Sequence, residues 1–270
     1  MGVKLNGVIV GNKCYPNNER MFDNISKNIY ENNGEACVWV QYQCSADFET
    51  FLTLVAYINT LPIKKKVLDM WYMPYLRMDR QVGSKDPMKR GMINILETVC
   101  EDWNLRTLDP HSGVERLANY VSAISFINHV ITKENINLIC FPDKGANDRY
   151  GKYFAGIIST TYSDKERDIN TGEITRISIC EHPDYEGRNI LIADDICSYG
   201  GTANGVAEQL KGKGASRVVA WFSHTEQSIY RGRIFTDNFI DKVYTSNSIM
   251  DCGEHITFLT LNKKGDVIEL

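Results

Sequence analysis

The chain has 270 residues, 43% hydrophobic and 24% charged, and a net charge of −4 at pH 7. That is the make-up of a globular protein long enough for one large or two medium buried cores. It excludes the broadly basic surface that nucleic acid or an anionic membrane recruits, so neither is expected as a partner and any basic site must be local.

From the amino terminus, MGVKLNGVIVGNKC has too short an apolar run for a signal peptide, and Asn6 stands where a myristoylation signal needs Ser or Thr. No window reaches membrane-spanning length. The eight cysteines are scattered without a CxxC pair. They read as reduced, mostly buried thiols of a cytoplasmic protein, and the expected localisation is cytoplasmic.

Apolar runs predict strands at Val8 to Val10, Val38 to Gln43, Lys66 to Met73, Leu105 to Leu108, Ile136 to Phe141, Ala155 to Thr160, Ile190 to Asp194 and Val218 to Phe222. Helical spacing marks Asp47 to Leu61, through Phe48, Phe51, Leu52, Val55 and Ile58, and Met88 to Cys100, through Met92, Ile95, Leu96 and Val99. Strand and helix alternate end to end, which predicts α/β structure with parallel sheets. A second βα series begins near residues 125 to 135, giving expected domains 1–128 and 129–270. The residues from Thr161 to Thr175 are almost wholly polar and lie between apolar strands. On their own they read as an exposed hairpin or a mobile arm.

The most informative stretch is NILIADDICSYGGTANGVAEQLK, from Asn189 to Lys211. An apolar strand ends in Asp194 and Asp195, a short loop follows, and a helix starts near Thr202 with Ala203, Val206, Ala207 and Leu210 on one face. Backbone N–H groups of the loop, the permissive Gly200 and Gly201, the hydroxyls of Ser198 and Thr202 and the helix dipole suit a phosphate. Paired carboxylates at a strand's carboxyl end suit ribose hydroxyls or a metal-linked water. An ordinary strand, turn and helix without a ligand is the plain alternative. Cys197 reads as a small residue in a tight loop, since no base is evident beside it.

This stretch resembles the phosphoribosyl pyrophosphate (PRPP) signature of type I phosphoribosyltransferases and ribose-phosphate pyrophosphokinases. Further segments resemble the second family alone. WYMPYLRMDRQVGSKDP, residues 71–87, is similar to its ATP-contacting PYxxYARQDR segment, which implies ATP binding by Arg77, Met78, Asp79 and Arg80. TLDPHSG, 107–113, resembles a turn whose histidine lies by the metal and triphosphate, which is His111 here. CFPDKGANDRY, 140–150, resembles the SPDxGG turn and implies that Asp143 binds ribose 5-phosphate and metal. DKERDINTGEI carries the KER triplet of the family's catalytic arm, implying Lys165 and Arg167 as catalytic cations beside His111. In CYPNNE, Asn17 and Glu19 correspond to residues that reach a neighbouring subunit's adenine, and SHTEQSIYRGRIF and VYTSNSI resemble further family elements.

The resemblance covers most of residues 8–248 and implies two type I phosphoribosyltransferase-like domains with ATP handled by the first. It implies ribose 5-phosphate binding by Asp143, Asp194, Asp195, Ser198, Tyr199, Gly200, Gly201 and Thr202 in the second. Mg2+ is the implied cofactor, with His111 and Asp143 at the metal, and a homo-oligomer, dimer or hexamer, the implied assembly. The implied reaction transfers the diphosphoryl group of ATP to ribose 5-phosphate. A type I phosphoribosyltransferase, or a non-catalytic PRPP-synthetase-like regulatory protein, are the alternatives. Ser198 and Tyr199 depart from the family's Asp and Thr, and Lys144 replaces a small residue.

Overall fold

The computed structural model describes residues 2–79, 81, 86–111, 118–167, 174–180, 184–250, 258–261 and 267–268, with backbone alone at 118, 166, 167, 174, 175, 258, 261, 267 and 268. Two compact units form, the first from residues 1–121 and the second opening at Ser122.

In the first unit β1 (Val3–Leu5), β2 (Val8–Val10), β3 (Lys13–Cys14) and β4 (Arg20–Met21) precede α1 (Ile25–Glu31). Strand and helix then alternate as β5 (Glu35–Val40), α2 (Ser45–Asn59), β6 (Lys65–Asp69), α3 (Lys89–Val99), β7 (Asn104–Leu108) and β8 (Ala118–Val121). Among the described residues the main sheet runs β2-β1-β5-β6-β7-β8. Strands β5 to β8 are parallel, and α2 and α3 return the chain between β5, β6 and β7. The β1–β2 hairpin is antiparallel and turns on Asn6 and Gly7, both at positive φ (47° and 82°), the backbone a two-residue hairpin needs. Helix α2 starts where Asp47 accepts the N–H groups of Gln43 and Cys44 at 2.9 and 3.0 Å, and it buries Phe51, Leu54, Val55 and Ile58 against the sheet.

The second unit comprises α4 (Ile124–Lys133), β9 (Leu138–Phe141), α5 (Lys144–Phe154), β10 (Ser159–Arg167), β11 (Ile174–Ile179), β12 (Asn189–Cys197), α6 (Gly201–Gly212), β13 (Arg217–Thr225), a 3-10 turn (Gln227–Arg231), α7 (Ile234–Asp237), β14 (Lys242–Ser246), β15 (Phe258–Leu261) and β16 (Val267–Ile268). Its described sheet runs β11-β10-β9-β12-β13-β14-β15-β16, parallel from β10 to β14. From β9 the chain passes through α5 to β10 on one side; from β12 it passes through α6 to β13 on the other. The strand order therefore reverses between β9 and β12, and a crevice opens at their carboxyl ends. Ile127 and Val130 of α4 and Ala146, Tyr150 and Phe154 of α5 pack on Phe141, Leu191, Ala193 and Trp221 to form the core.

Two expectations shift. The run from Ala155 begins as a turn after α5, and β10 starts only at Ser159. Of the polar residues that follow, those up to Arg167 are strand, because Ser159 to Tyr162 pair with β9 and Ser163 to Arg167 pair antiparallel with β11. Thr161 and Ser163 are buried in it. The described part of the expected hairpin is thus two paired strands continuous with the sheet, and residues 168–173 of it lie outside the described residues.

At the amino edge of this sheet, Glu134 follows α4 and is buried. It meets Arg217 and Lys242, each at 2.7 Å, and accepts the Tyr244 hydroxyl. Burial alone would raise the Glu134 carboxyl, but hydrogen bonds from Lys242 and Tyr244 and the charge of Arg217 outweigh it and hold the group below its ordinary value. No helix among the described residues is long and apolar enough to cross a membrane.

Candidate active site

The carboxyl ends of β9 and β12 bring together residues that lie far apart in sequence. Asp143 leaves β9 as the cap of α5, accepting the Ala146 N–H at 2.8 Å. Lys165, on β10, makes an ion pair with the other oxygen of Asp143. Its approach is set two residues earlier, where the buried Ser163 hydroxyl donates to the Pro142 carbonyl at 2.7 Å. The pairing register of β10 and β11 shifts between Glu166 and Arg167, so the regular ladder ends just past Lys165.

On β12, Asp195 is buried and takes Arg149 Nη1 of α5 at 2.9 Å. Its N–H donates to Asp194 Oδ1 at 3.0 Å. Three carboxylates and two cations are gathered here, and their charges do not cancel. Burial raises Asp143, yet the hydrogen bond and charge of Lys165 and the Ala146 N–H prevail and hold it low. Burial, then the charges of Asp195 and Asp143, push Asp194 well above the usual carboxylate range. Asp194 keeps some exposed surface, and the charges of Asp195 and Asp143 act in the same upward direction as burial.

Past β12 the chain turns through Ser198 and Tyr199 to Gly200, which caps α6 at φ 75°. A side chain at Gly200 is barred twice, by that backbone and by Ile234, whose Cδ1 would lie 2.1 Å from its Cβ. Nothing stands within 4 Å of a Cβ at Gly201, and Thr202 follows in the first turn of the helix. Ser198 Oγ donates to Glu226 Oε2 at 2.5 Å. Tyr199 is exposed, with the Arg231 guanidinium over its ring at 5.4 Å.

In the first unit, β6 and β7 are parallel neighbours, and the loops after them meet. His111 Nε2 lies 3.2 Å from Asp79 Oδ2, an ion pair when the imidazole is protonated. Arg77 is exposed, and Met78 is held by its N–H to the Tyr75 carbonyl (2.9 Å) and by its carbonyl to the Lys89 N–H (3.1 Å). Asn17 and Glu19 lie at the exposed tip of the β3–β4 hairpin, where Asn17 Oδ1 accepts the Glu19 N–H at 3.3 Å. Arg80 lies outside the described residues, and Arg167 is described by its backbone alone.

Sequence reasoning did not single out Arg149 or Glu226. Arg149 is within two turns of the cap residue Asp143 on α5, a position that faces back toward the strand ends. Glu226 follows directly on β13, beside β12, and left no local signal. Asp143, Asp194 and Asp195 are the hard oxygen donors that a divalent ion such as magnesium prefers, and a positive ion would relieve their crowding. Among the described residues no group of three or more His, Cys, Asp or Glu side chains is arranged to hold a metal, so an ion here would also need substrate oxygens.

No protein-family model matches the chain. It is similar to the ribose-phosphate pyrophosphokinases of Sulfolobus acidocaldarius (24% identical over 226 residues, 76% of this chain and 73% of that protein) and Saccharolobus solfataricus (29% over 227 residues, 80% and 76%). With that of Pyrococcus furiosus it shares 31% identity over 161 residues, 57% of this chain and 56% of the relative. Among solved structures, phosphoribosylpyrophosphate synthetase from Mycobacterium smegmatis matches with a TM-score of 0.55 at 18% identity, covering 72% of this chain and 70% of that one. That likeness shows the fold: α/β, with two type I phosphoribosyltransferase-like domains. In sequence the chain resembles ribose-phosphate pyrophosphokinases.

Proposed function

We propose that the chain is a ribose-phosphate pyrophosphokinase, a transferase that moves the β,γ-diphosphoryl group of ATP to the C1 hydroxyl of ribose 5-phosphate, giving PRPP and AMP. The observation that carries this reading is Lys165 facing Asp143 at the crevice between β9 and β12. A catalytic cation on a hairpin, beside carboxylates and a phosphate loop, fits diphosphoryl transfer. A phosphoribosyltransferase would account for the loop but leave Lys165, the Asp79–His111 pair and Arg77 without a role.

In this reading the loop from Ser198 to Thr202, through its N–H groups and the α6 dipole, receives the 5-phosphate. Asp194 and Asp195 accept ribose hydroxyls, with Arg149 holding Asp195 in place. Arg77 to Arg80 bind ATP, joined by Asn17 and Glu19, and Asp79 orients His111. Magnesium, when bound, neutralises and orients the triphosphate, and Asp143 and His111 are the residues this reading gives it. The C1 oxygen attacks the β-phosphorus in line, the bond from that phosphorus to the α-phosphate oxygen breaks, and the hydroxyl proton is released as AMP departs. Lys165 exchanges Asp143 for the diphosphoryl oxygens, and Arg167 joins it from the same arm. A homo-oligomer and a cytoplasmic location belong to the same proposal.

A second reading, a phosphosugar-binding regulatory protein, draws on Tyr199 and on Ser198 being tied to Glu226. Phosphorus NMR of the full chain with magnesium, ATP and ribose 5-phosphate separates them. AMP and a PRPP diphosphate signal should appear together, and only with the sugar. ATP left intact beside folded protein overturns the pyrophosphokinase reading.

A further inference from the structure

The loop after β12 offers few side-chain donors to a phosphate dianion. Ser198 has one hydroxyl proton, and it is directed to Glu226. Position 199 carries a phenol ring that is 53% exposed instead of a short hydroxyl. Glu226 also brings negative charge to the loop: its N–H donates to the Cys197 carbonyl at 2.9 Å, and its carboxylate accepts the Ser228 hydroxyl at 3.0 Å. The nearby cations of the crevice, Lys165 and Arg149, face Asp143 and Asp195.

Arg231 lies where positive charge is needed. Its guanidinium sits over the Tyr199 ring, and among the described residues it makes no ion pair with a carboxylate. Its place is fixed by the backbone on either side of the stack. Gly232 lies so close that a Cβ there would come within 1.9 Å of the Tyr199 carbonyl oxygen, and Ile234 fills the space beside Gly200. Residues 231–234 and 199–200 are interlocked. A guanidinium drawn over a ring by its charge still has N–H donors for two oxygens of one phosphate, a paired geometry that an ammonium cannot match.

We propose that Arg231, held on the ring of Tyr199, is the cation that receives the sugar's phosphate group at this loop, so that the pair determines selection of a phosphorylated over a free sugar. The inference rests on the reading of this loop as the sugar-phosphate site, and it assigns a ligand residue independently of turnover.

Titration calorimetry of the full chain with inorganic phosphate, ribose 5-phosphate and ribose tests it. Arg231→Gln should weaken phosphate and ribose 5-phosphate binding by about tenfold or more, with Arg231→Lys intermediate. Tyr199→Leu should weaken both by about three- to tenfold, while Tyr199→Phe, which keeps the ring, stays near the parent. ATP affinity and thermal unfolding should be unmoved throughout, which a merely structural role would not allow. Unchanged phosphate affinity in both Arg231→Gln and Tyr199→Leu overturns the proposal, as does a parent chain that binds neither phosphate nor ribose 5-phosphate. Phosphate binding that depends on Arg231 without PRPP formation supports it while refuting the pyrophosphokinase. PRPP formation indifferent to Arg231→Gln refutes this inference alone.

Discussion

At the amino edge of the second sheet one carboxylate, Glu134, faces two cations and a phenol; at the carboxyl edge three carboxylates, Asp143, Asp194 and Asp195, face two cations. Both edges belong to the same parallel sheet and both are partly desolvated. The amino edge is satisfied, so Glu134 is held charged and leaves nothing for a ligand to do. The carboxyl edge is over-supplied with acid, and Asp194 carries the cost as a raised proton affinity. Strand ends of this kind are where α/β sheets meet ligands, and an electrostatic deficit there is what a bound cation or hydroxyl relieves. In the proposed function, the difference separates a contact kept for folding from one kept for chemistry.

The largest expected effect tests the amino edge. Glu134→Ala leaves Arg217 and Lys242 without their acid and should lower unfolding free energy by about 3–5 kcal/mol in chemical denaturation, while ribose 5-phosphate affinity of the remaining folded protein stays the same. Acid titration reads the same network. A carboxylate with a lowered folded pKa contributes stability that is full above its ordinary value of 4.5 and is lost as pH falls through the lowered one. Glu134→Gln should remove that part of the acid dependence.

At the other edge, Lys165→Ala should cut turnover by about 10²–10³-fold with little change in ribose 5-phosphate affinity, since in the proposed reaction the cation acts on the group in transit. Near-normal turnover would sink the role given to Lys165. Gly200→Ala comes next. Its positive φ and the closeness of Ile234 should cost about 1–3 kcal/mol and weaken phosphate binding, measured by denaturation and calorimetry.

The two edges were not equally legible in the sequence. Asp194, Asp195 and the helix after Gly200 announce themselves locally, because an apolar strand, paired acids and glycines in one short run leave few other readings. The alternation of strand and helix likewise implied parallel sheets. Pairing over long separations left no local mark. Thr161 and Ser163 look solvated by composition, and only their place between β9 and β11 buries them. The contact of Ser198 with Glu226, 28 residues on, likewise has no trace in the local sequence. Glu134 drew no notice, since its value depends on Arg217 and Lys242 arriving from two later strands. The β1–β2 hairpin turns on Asn6-Gly7, a local signal that the reading of strands from apolar runs passes over.

The smallest expected change is the most diagnostic, because its sign is opposite at the two edges. An acid whose folded pKa is raised lowers stability at pH values above its ordinary range, so removing its charge should help the fold and harm the function. Unfolding free energy and turnover of Asp194→Asn, measured on one preparation at neutral pH without ligands and then with them, decide the matter. The account predicts a protein slightly more stable than the parent, a rise of about 2–4 °C in melting temperature for each kcal/mol relieved, and markedly weaker in ribose 5-phosphate binding and turnover. A variant that is less stable, or one that binds and turns over like the parent, would contradict it.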